Sequence, residues 1–148
     1  MKWLYMLLSL IGGMMAGLQA PINGSLGKKI GSLEGAFTSF FVGLLFLTFM
    51  TLFFGKGQLL HLFQVPKWNL LGGLLGAIFV TVVIISVPKA GAASVIFAAI
   101  VGQVIISIMI DHFGFFGVTK IPMNINRFIG LVLMLAALYF IYRGSATS

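Results

Sequence analysis

Five long apolar runs occupy most of this 148-residue chain, and they constrain its fold more than any other feature. They cover residues 3–20, 35–54, 68–87, 90–110 and 128–142. An α-helix needs about 20 apolar residues to cross the hydrocarbon core of a bilayer. Runs of this length, joined by short polar segments, predict an all-α integral membrane protein with five transmembrane helices in a single domain, 1–148.

The composition supports lipid as the surrounding solvent. Hydrophobic residues make up 60% of the chain and charged residues only 7%, whereas about a quarter of a soluble domain is charged. The nine cations lie near the ends of the apolar runs and not deep inside them. This distribution is typical of side chains that reach the headgroups from helix ends, and it forms no basic patch for nucleic acid. We therefore expect the lipid bilayer as a partner, and no nucleic acid.

The chain offers few groups for catalysis or metal binding. It has no cysteine, two acids (Glu34 and Asp111) and two histidines (His61 and His112). The adjacent Asp111 and His112 are too few to hold a metal ion. No nucleophile motif and no phosphate-binding glycine loop occurs in the sequence. The sequence predicts a protein that is not an enzyme and needs no cofactor or metal.

Glycine and proline divide the runs. The stretch Trp68–Ile110 would reach about 65 Å as one helix, roughly twice the hydrocarbon thickness. Pro88 and Gly91 therefore predict a tight hairpin between the third and fourth spans. The other expected connections are 21–34, 55–67 and 111–127. We expect the first run to be a retained helix because Leu18 stands where a signal-peptide cleavage site has a small residue; a cleaved signal peptide is the alternative.

Small residues four positions apart recur in three of the runs. The pairs are Gly13/Gly17, Gly72/Gly76, Gly73/Ala77 and Ala98/Gly102. Such pairs let helix backbones approach closely in lipid. They predict tight helix packing at these positions, with the moving seam of a transporter as the alternative role.

The cations are divided almost evenly between the two sides of the membrane. With five spans, one side carries Lys2, Lys56, Lys67, Lys120 and Arg127, and the other carries Lys28, Lys29, Lys89 and Arg143. Orientation follows the Lys/Arg excess of short loops, so this chain gives the insertion machinery almost no instruction. We expect copies in both orientations that pair as an inverted repeat, a common plan of secondary transporters. The alternative is that one cation of difference carries little information in a sparsely charged protein.

Four uncharged polar residues stand out in or beside the apolar runs. Gln19 and Asn23 share a helix face if the first helix extends beyond its run, while Gln103 and Ser107 share a stripe with Asp111. In hydrocarbon such side chains must find partners in the protein, in water or in a substrate. We predict that Gln19, Asn23, Gln103 and Ser107 bind the substrate. A helix–helix hydrogen bond is the alternative role of Gln103.

The two acids receive different predictions. Asp111, at the end of the fourth run, is the candidate for ion or proton coupling, and an ion pair with Lys120 or Arg127 is its structural alternative. Glu34 is expected at the N-terminus of the second helix, where negative charge is stabilised, with Ser32 as the capping residue. No carboxylate lies in the middle of a run.

Five motifs spread over nearly the whole chain form one pattern. They are Gln19-Ala-Pro-Ile-Asn23-Gly-Ser-Leu, Ser39-Phe-Phe-Val-Gly43, Pro88-Lys-Ala-Gly-Ala, Gly102-Gln-Val-Ile-Ile-Ser-Ile-Met-Ile-Asp-His-Phe-Gly-Phe-Phe-Gly117 and Asn126-Arg-Phe-Ile-Gly130. Together they resemble the YdcZ-like family of small bacterial inner-membrane proteins, which is placed in the drug/metabolite transporter superfamily.

The resemblance implies that the chain is half of a ten-helix transporter. Five-helix members of this family work as antiparallel homodimers or as pairs of paralogues of opposite orientation. Larger relatives line a central cavity with the first, third and fourth helices of each half, which would place Gln19, Asn23 and Gln103 near that cavity. The first-helix glutamate that small multidrug-resistance relatives use for proton exchange is absent from the family and from this chain.

The sequence thus predicts a secondary transporter of the bacterial inner membrane. It would move a small molecule by alternating access, as a dual-topology antiparallel homodimer or with a paralogue of opposite topology. The alternative is a non-transporting accessory or assembly protein for another membrane complex. A membrane enzyme lacks the catalytic residues that it would need.

Overall fold

The computed structural model describes residues 2–146, and the described part of the chain is helical with short connections and no strand. The long helices are α1 (Lys2–Ile30), α2 (Ser32–Phe54), α3 (Leu71–Ala90), α4 (Ala92–Phe113) and α5 (Ile125–Ala146). Short 3₁₀ turns occupy Leu59–Phe63 and Lys67–Leu70 before α3, and Phe115–Gly117 after α4. Each of the five spans, counting the turn before α3 with that helix, is long and apolar enough to cross a membrane. This confirms the all-α membrane class and the five spans.

The helix α1 is longer than its apolar run, and the expected loop over 21–34 is wrong. Pro21 lies inside the helix, which continues to Ile30. Proline removes one backbone hydrogen bond, but membrane helices tolerate it where neighbouring groups satisfy the freed carbonyl. Gly31 ends the helix with a φ of 104°, a conformation that glycine adopts without steric cost.

The second helix starts immediately after this glycine. Gly31 is its N-cap and makes no side-chain capping bond, so the expected cap at Ser32 is wrong. Glu34 lies in the first turn of α2, as predicted. Its negative charge there stabilises the N-terminal end of the helix dipole.

The predicted turn between the third and fourth spans is confirmed, although proline does not make it. Pro88 lies inside the last turn of α3, which ends at Ala90. Gly91 has a φ of 77°, and α4 begins at the next residue. A single left-handed glycine is therefore the whole connection.

The last helix is also longer than its apolar run. Asn124 caps it: its side-chain Oδ1 accepts a hydrogen bond from the backbone N–H of Arg127 at 2.9 Å. The backbone oxygen of Asn124 accepts from the N–H of Phe128 at 3.0 Å. This cap starts α5 before Arg127 and gives it 22 residues, enough to span the hydrocarbon.

The chain divides into two compact units, Met1–Lys89 and Ala90–Ser148. In the first unit, α1 and α2 meet at two glycines: a Cβ on Gly35 would lie 3.1 Å from the Cα of Gly27. Ile84 of α3 fills the space beside them and is 1% exposed. A Cβ on Gly27 would overlap the Cγ2 of Ile84. Because neither glycine has a side chain, three helix surfaces can come together at this point.

The second unit consists of α4, α5 and the loop that joins them. Val101 and Ser94 are the buried residues of α4. The Ser94 hydroxyl donates a hydrogen bond to the Ser145 hydroxyl of α5 at 2.9 Å. One face of α4 therefore packs on α5, and the opposite face does not.

The predicted packing of the small-residue pairs is largely wrong within the described chain. A Cβ on any of Gly13, Gly17, Gly72, Gly73 and Gly102 would have nothing within 4 Å. Gly76, the remaining glycine of the predicted pairs, differs: a Cβ there would lie 3.7 Å from the ring of Phe40. Spacing along one helix identifies a smooth face, but it does not identify the surface that covers it.

Replacing Gly35 by alanine is expected to lower the free energy of unfolding by about 1–3 kcal/mol, because the new methyl group meets backbone that must move. Gly43→Ala in the same helix is the control, since a Cβ there has nothing within 4 Å. That control should be neutral or stabilise the helix by about 0.5–1 kcal/mol. Unfolding of both variants in detergent measures the difference, and equal stabilities would contradict the packing described above.

Candidate functional site

Asn23 is the one predicted site residue that is buried. It lies on α1, two residues after Pro21, with 7% of its surface exposed. Its Oδ1 accepts a hydrogen bond from the hydroxyl of Ser39 on α2 at 2.8 Å. The amide therefore ties α1 to α2, and its Nδ2 group is left for another acceptor.

Sequence reasoning missed the contribution of Ser39. This residue lies inside a strongly apolar helix, and a lone hydroxyl usually bonds to its own backbone one turn earlier. Thr38 and Thr81 do so, with hydroxyl-to-carbonyl distances of 2.7 and 2.8 Å. The position of Ser39 opposite Asn23 follows from the glycine contact between α1 and α2 and from no pattern within α2.

Gln19 lies one turn before Asn23 on the same helix, as the continuation of α1 through Pro21 requires. The two residues therefore share a face, which confirms the conditional prediction. Unlike Asn23, Gln19 is exposed, and its side chain has no hydrogen-bond partner among residues 2–146. An unsatisfied primary amide in this position is costly unless protein, water or ligand covers it.

Gln103 and Ser107 occupy the exposed side of α4. Neither side chain forms a hydrogen bond within the described residues. Gln103 lies near the centre of the helix, where no water is available from either membrane surface. Gln103 and Ser107 therefore form an exposed polar stripe on α4 that no hydrogen bond from residues 2–146 satisfies.

Asp111, the third member of this stripe, has a partner. Its Oδ2 accepts a hydrogen bond from Nη2 of Arg127 at 3.0 Å, with both side chains about a third exposed or less. The structural alternative predicted for Asp111, a pair with Arg127, is thus confirmed. Nη1 of Arg127 donates a hydrogen bond to the carbonyl oxygen of Ile121 at 3.4 Å, so the guanidinium joins α4, the loop and α5.

His112 holds the same loop in a way that the sequence did not indicate. Its Nδ1 accepts a hydrogen bond from the backbone N–H of Met123 at 3.0 Å. Only an unprotonated ring nitrogen can accept, so the imidazole proton is on Nε2. The backbone oxygen of Asp111 also accepts from the N–H of Ile121 at 2.8 Å. Together these bonds fasten the loop to the C-terminal end of α4.

The predicted site residues are divided between the two units of the chain. Gln19 and Asn23 belong to the first unit, whereas Gln103, Ser107 and Asp111 belong to the second. The larger groove, of about 440 Å³, lies between α4 and α5 and is lined by Ser94, Tyr139, Tyr142 and apolar residues. A groove of about 240 Å³ in the first unit is lined mainly by leucine and threonine side chains. Neither groove contains a predicted site residue.

The potential for metal chemistry is low across the described residues. No group of three or more His, Cys, Asp and Glu side chains is placed to hold a metal ion in residues 2–146. Asp111 is occupied by Arg127 and His112 by the loop backbone. Gln19, Gln103 and Ser107, which have no hydrogen-bond partner among residues 2–146, carry amides and a hydroxyl, which bind by hydrogen bonds and have no charge.

Comparison with known proteins assigns this chain to a family. A family model described as "Putative inner membrane exporter, YdcZ" matches residues 4–140, which include α2, α3 and α4 whole and most of α1 and α5. No curated protein and no solved structure matches the chain. The match confirms the predicted resemblance and agrees with a multi-pass protein of the inner membrane. The chain belongs to this YdcZ family of inner-membrane proteins.

Proposed function

We propose that the chain is a half-transporter, and that two copies in opposite orientations move a small molecule across the inner membrane by alternating access. The observation that carries this proposal is the uncovered polar stripe of Gln103 and Ser107 on a membrane helix. Lipid offers no hydrogen bonds to these groups. A second copy and a substrate would supply them, and the family membership supports transport as the reason.

The substrate site would be built from neutral groups. Gln19, Asn23, Gln103 and Ser107 supply amides and hydroxyls, each able to donate and accept hydrogen bonds. Secondary transporters with inverted repeats bind near the middle of the membrane, between the repeats. Each copy would contribute one set of these residues to a shared site at the middle of the membrane.

The positions of the cations support opposite orientations. Lys28, Lys29, Lys89 and Arg143 lie in the last turns of α1, α3 and α5. With five spans these four cations lie on one side of the membrane, and the other five cations of the chain lie on the opposite side. Side chains at helix ends act on orientation through the nearest headgroups, and these two sets nearly cancel.

The native chain should be found with its C-terminus on both sides of the membrane in comparable amounts, as reporter fusions at that end can measure. Gln58→Lys with Gln64→Lys, in the exposed segment between α2 and α3, should fix one orientation because it enlarges the Lys/Arg excess there. Lys56→Gln with Lys67→Gln should favour the opposite orientation, because it removes two cations from the same segment.

The matched control is Gln58→Glu with Gln64→Glu, because acids contribute little to orientation. Each biased variant should lose function when expressed alone and regain it when both are expressed together. A single orientation of the native chain would contradict the dual-topology proposal, as would full activity of one biased variant alone.

Gln103→Leu is expected to weaken ligand binding at least tenfold, about 1.4 kcal/mol, because it removes a binding amide from the middle of α4. The ligand is one found by thermal-shift screening of the purified protein, since binding to the folded state raises its melting temperature. Gln64→Leu, outside the spans, is the control and should keep full affinity. Dimer stability is measured on the same samples, and lost stability with unchanged affinity would contradict the substrate role of Gln103.

A further inference from the structure

The polar stripe on α4 has a geometry that specifies its partner. Gln103 lies at the centre of the helix: Ala92–Phe113 spans 22 residues, with eleven before Gln103 and ten after it. It also lies away from α5. Ser94 bonds to Ser145 of α5. Val101, seven residues later, lies on the same side of α4 and is 3% exposed, and two further residues of α-helix turn the side chain of Gln103 by about 200°.

The face around Gln103 continues along the whole helix. Residues seven apart on an α-helix return to nearly the same side, so Ile96, Gln103 and Ile110 are aligned. Ala99 and Ile106 lie between them on the same face. Gln103 and, one turn later, Ser107 therefore interrupt a face that is otherwise apolar as far as Ile110, and the Gln103 side chain has no hydrogen-bond partner among residues 2–146.

A second copy of α4 satisfies this amide by symmetry. A primary amide is both a donor and an acceptor, so two identical amides related by a two-fold axis can exchange two hydrogen bonds. In an antiparallel pair the axis lies in the plane of the membrane, and only residues at the middle of the bilayer meet their own counterparts. Gln103 meets this condition because it lies at the centre of its helix.

We propose that α4 crosses α4 of an oppositely oriented second copy at Gln103, so that the two Gln103 amides pair across the two-fold axis. This inference rests on the proposed antiparallel half-transporter and specifies the contact within it. Ile96 of each copy then lies opposite Ile110 of the other. The same crossing gives the substrate site an amide from each copy at the middle of the membrane.

Cysteine cross-linking tests this contact without background, because the native chain contains no cysteine. Ile96→Cys and Ile110→Cys are placed on separately tagged copies, co-expressed and oxidised in the membrane, with Gln103 native in both. The expected product is a disulfide between position 96 of one copy and position 110 of the other. Identical positions should not cross-link, since they would lie about 21 Å apart along the helix, beyond the reach of a disulfide.

Gln103→Cys alone tests the crossing point. It should form disulfide dimers, since position 103 of one copy faces position 103 of the other. Ile105→Cys is the matched control: it lies at nearly the same depth and is 38% exposed, but on the side that faces α5. Its dimer yield should be lower by about fivefold or more, because collisions in lipid are its only route to disulfide geometry.

The outcomes separate this contact from the proposed function. Disulfides between identical positions 96 or 110 would show a parallel pair, which overturns both the contact and the antiparallel half-transporter. A chain that inserts in both orientations and purifies as a dimer, but gives no 96-to-110 disulfide, overturns the contact alone. Equal yields from Gln103→Cys and Ile105→Cys would likewise overturn it and leave the proposed function standing.

Discussion

Every polar group that enters hydrocarbon needs a partner within protein, since lipid supplies none. The helices satisfy this requirement for the backbone, and short hydroxyl side chains satisfy it locally: Ser9, Thr38 and Thr81 donate to carbonyl oxygens one turn earlier. Asn23 is satisfied by Ser39. The amides of Gln19 and Gln103 find no partner in the described chain. The need to cover these groups is the reason for proposing a second copy and a substrate.

The loop after α4 shows how the chain satisfies charged groups at the membrane surface. Asp111, His112 and Arg127 together hold the loop against the ends of α4 and α5. Phe113, Phe115 and Phe116 are exposed on the same segment, where aromatic rings suit the boundary between lipid and water. The loop thus fixes the end of α4, and a helix that is fixed at its end can present Gln103 at a defined depth.

The sequence predicted the features that depend on local composition. Apolar runs of sufficient length identified all five spans, and Gly91 identified the turn between α3 and α4. The sequence was wrong about the end of α1, the cap of α2 and the glycines at which helices pack. Pro21 does not end α1 because a proline in a membrane helix is tolerated where its surroundings satisfy the freed carbonyl. The packing glycines are Gly27 and Gly35, which lie four residues on either side of Gly31 and meet where α2 begins beside α1.

Site residues divide in the same way. The ion pair between Asp111 and Arg127 was within reach of sequence reasoning because both residues flank one loop. The bonds of Asn23 to Ser39 and of His112 to Met123 were not, since no spacing rule joins those positions. Polarity within an apolar run did identify Gln19 and Gln103 as unusual, and the structure adds that no residue of the described chain covers them.

The central claim, that one copy is completed by an inverted second copy, is tested most directly by the melting temperature of tandem fusions. Because five is an odd number of spans, a direct fusion of two copies inverts the second, and a linker with one additional apolar helix makes the two copies parallel. The account predicts that the direct fusion melts at the higher temperature and, being intramolecular, at a temperature independent of dilution. A parallel fusion that melts at the same temperature or higher would contradict it.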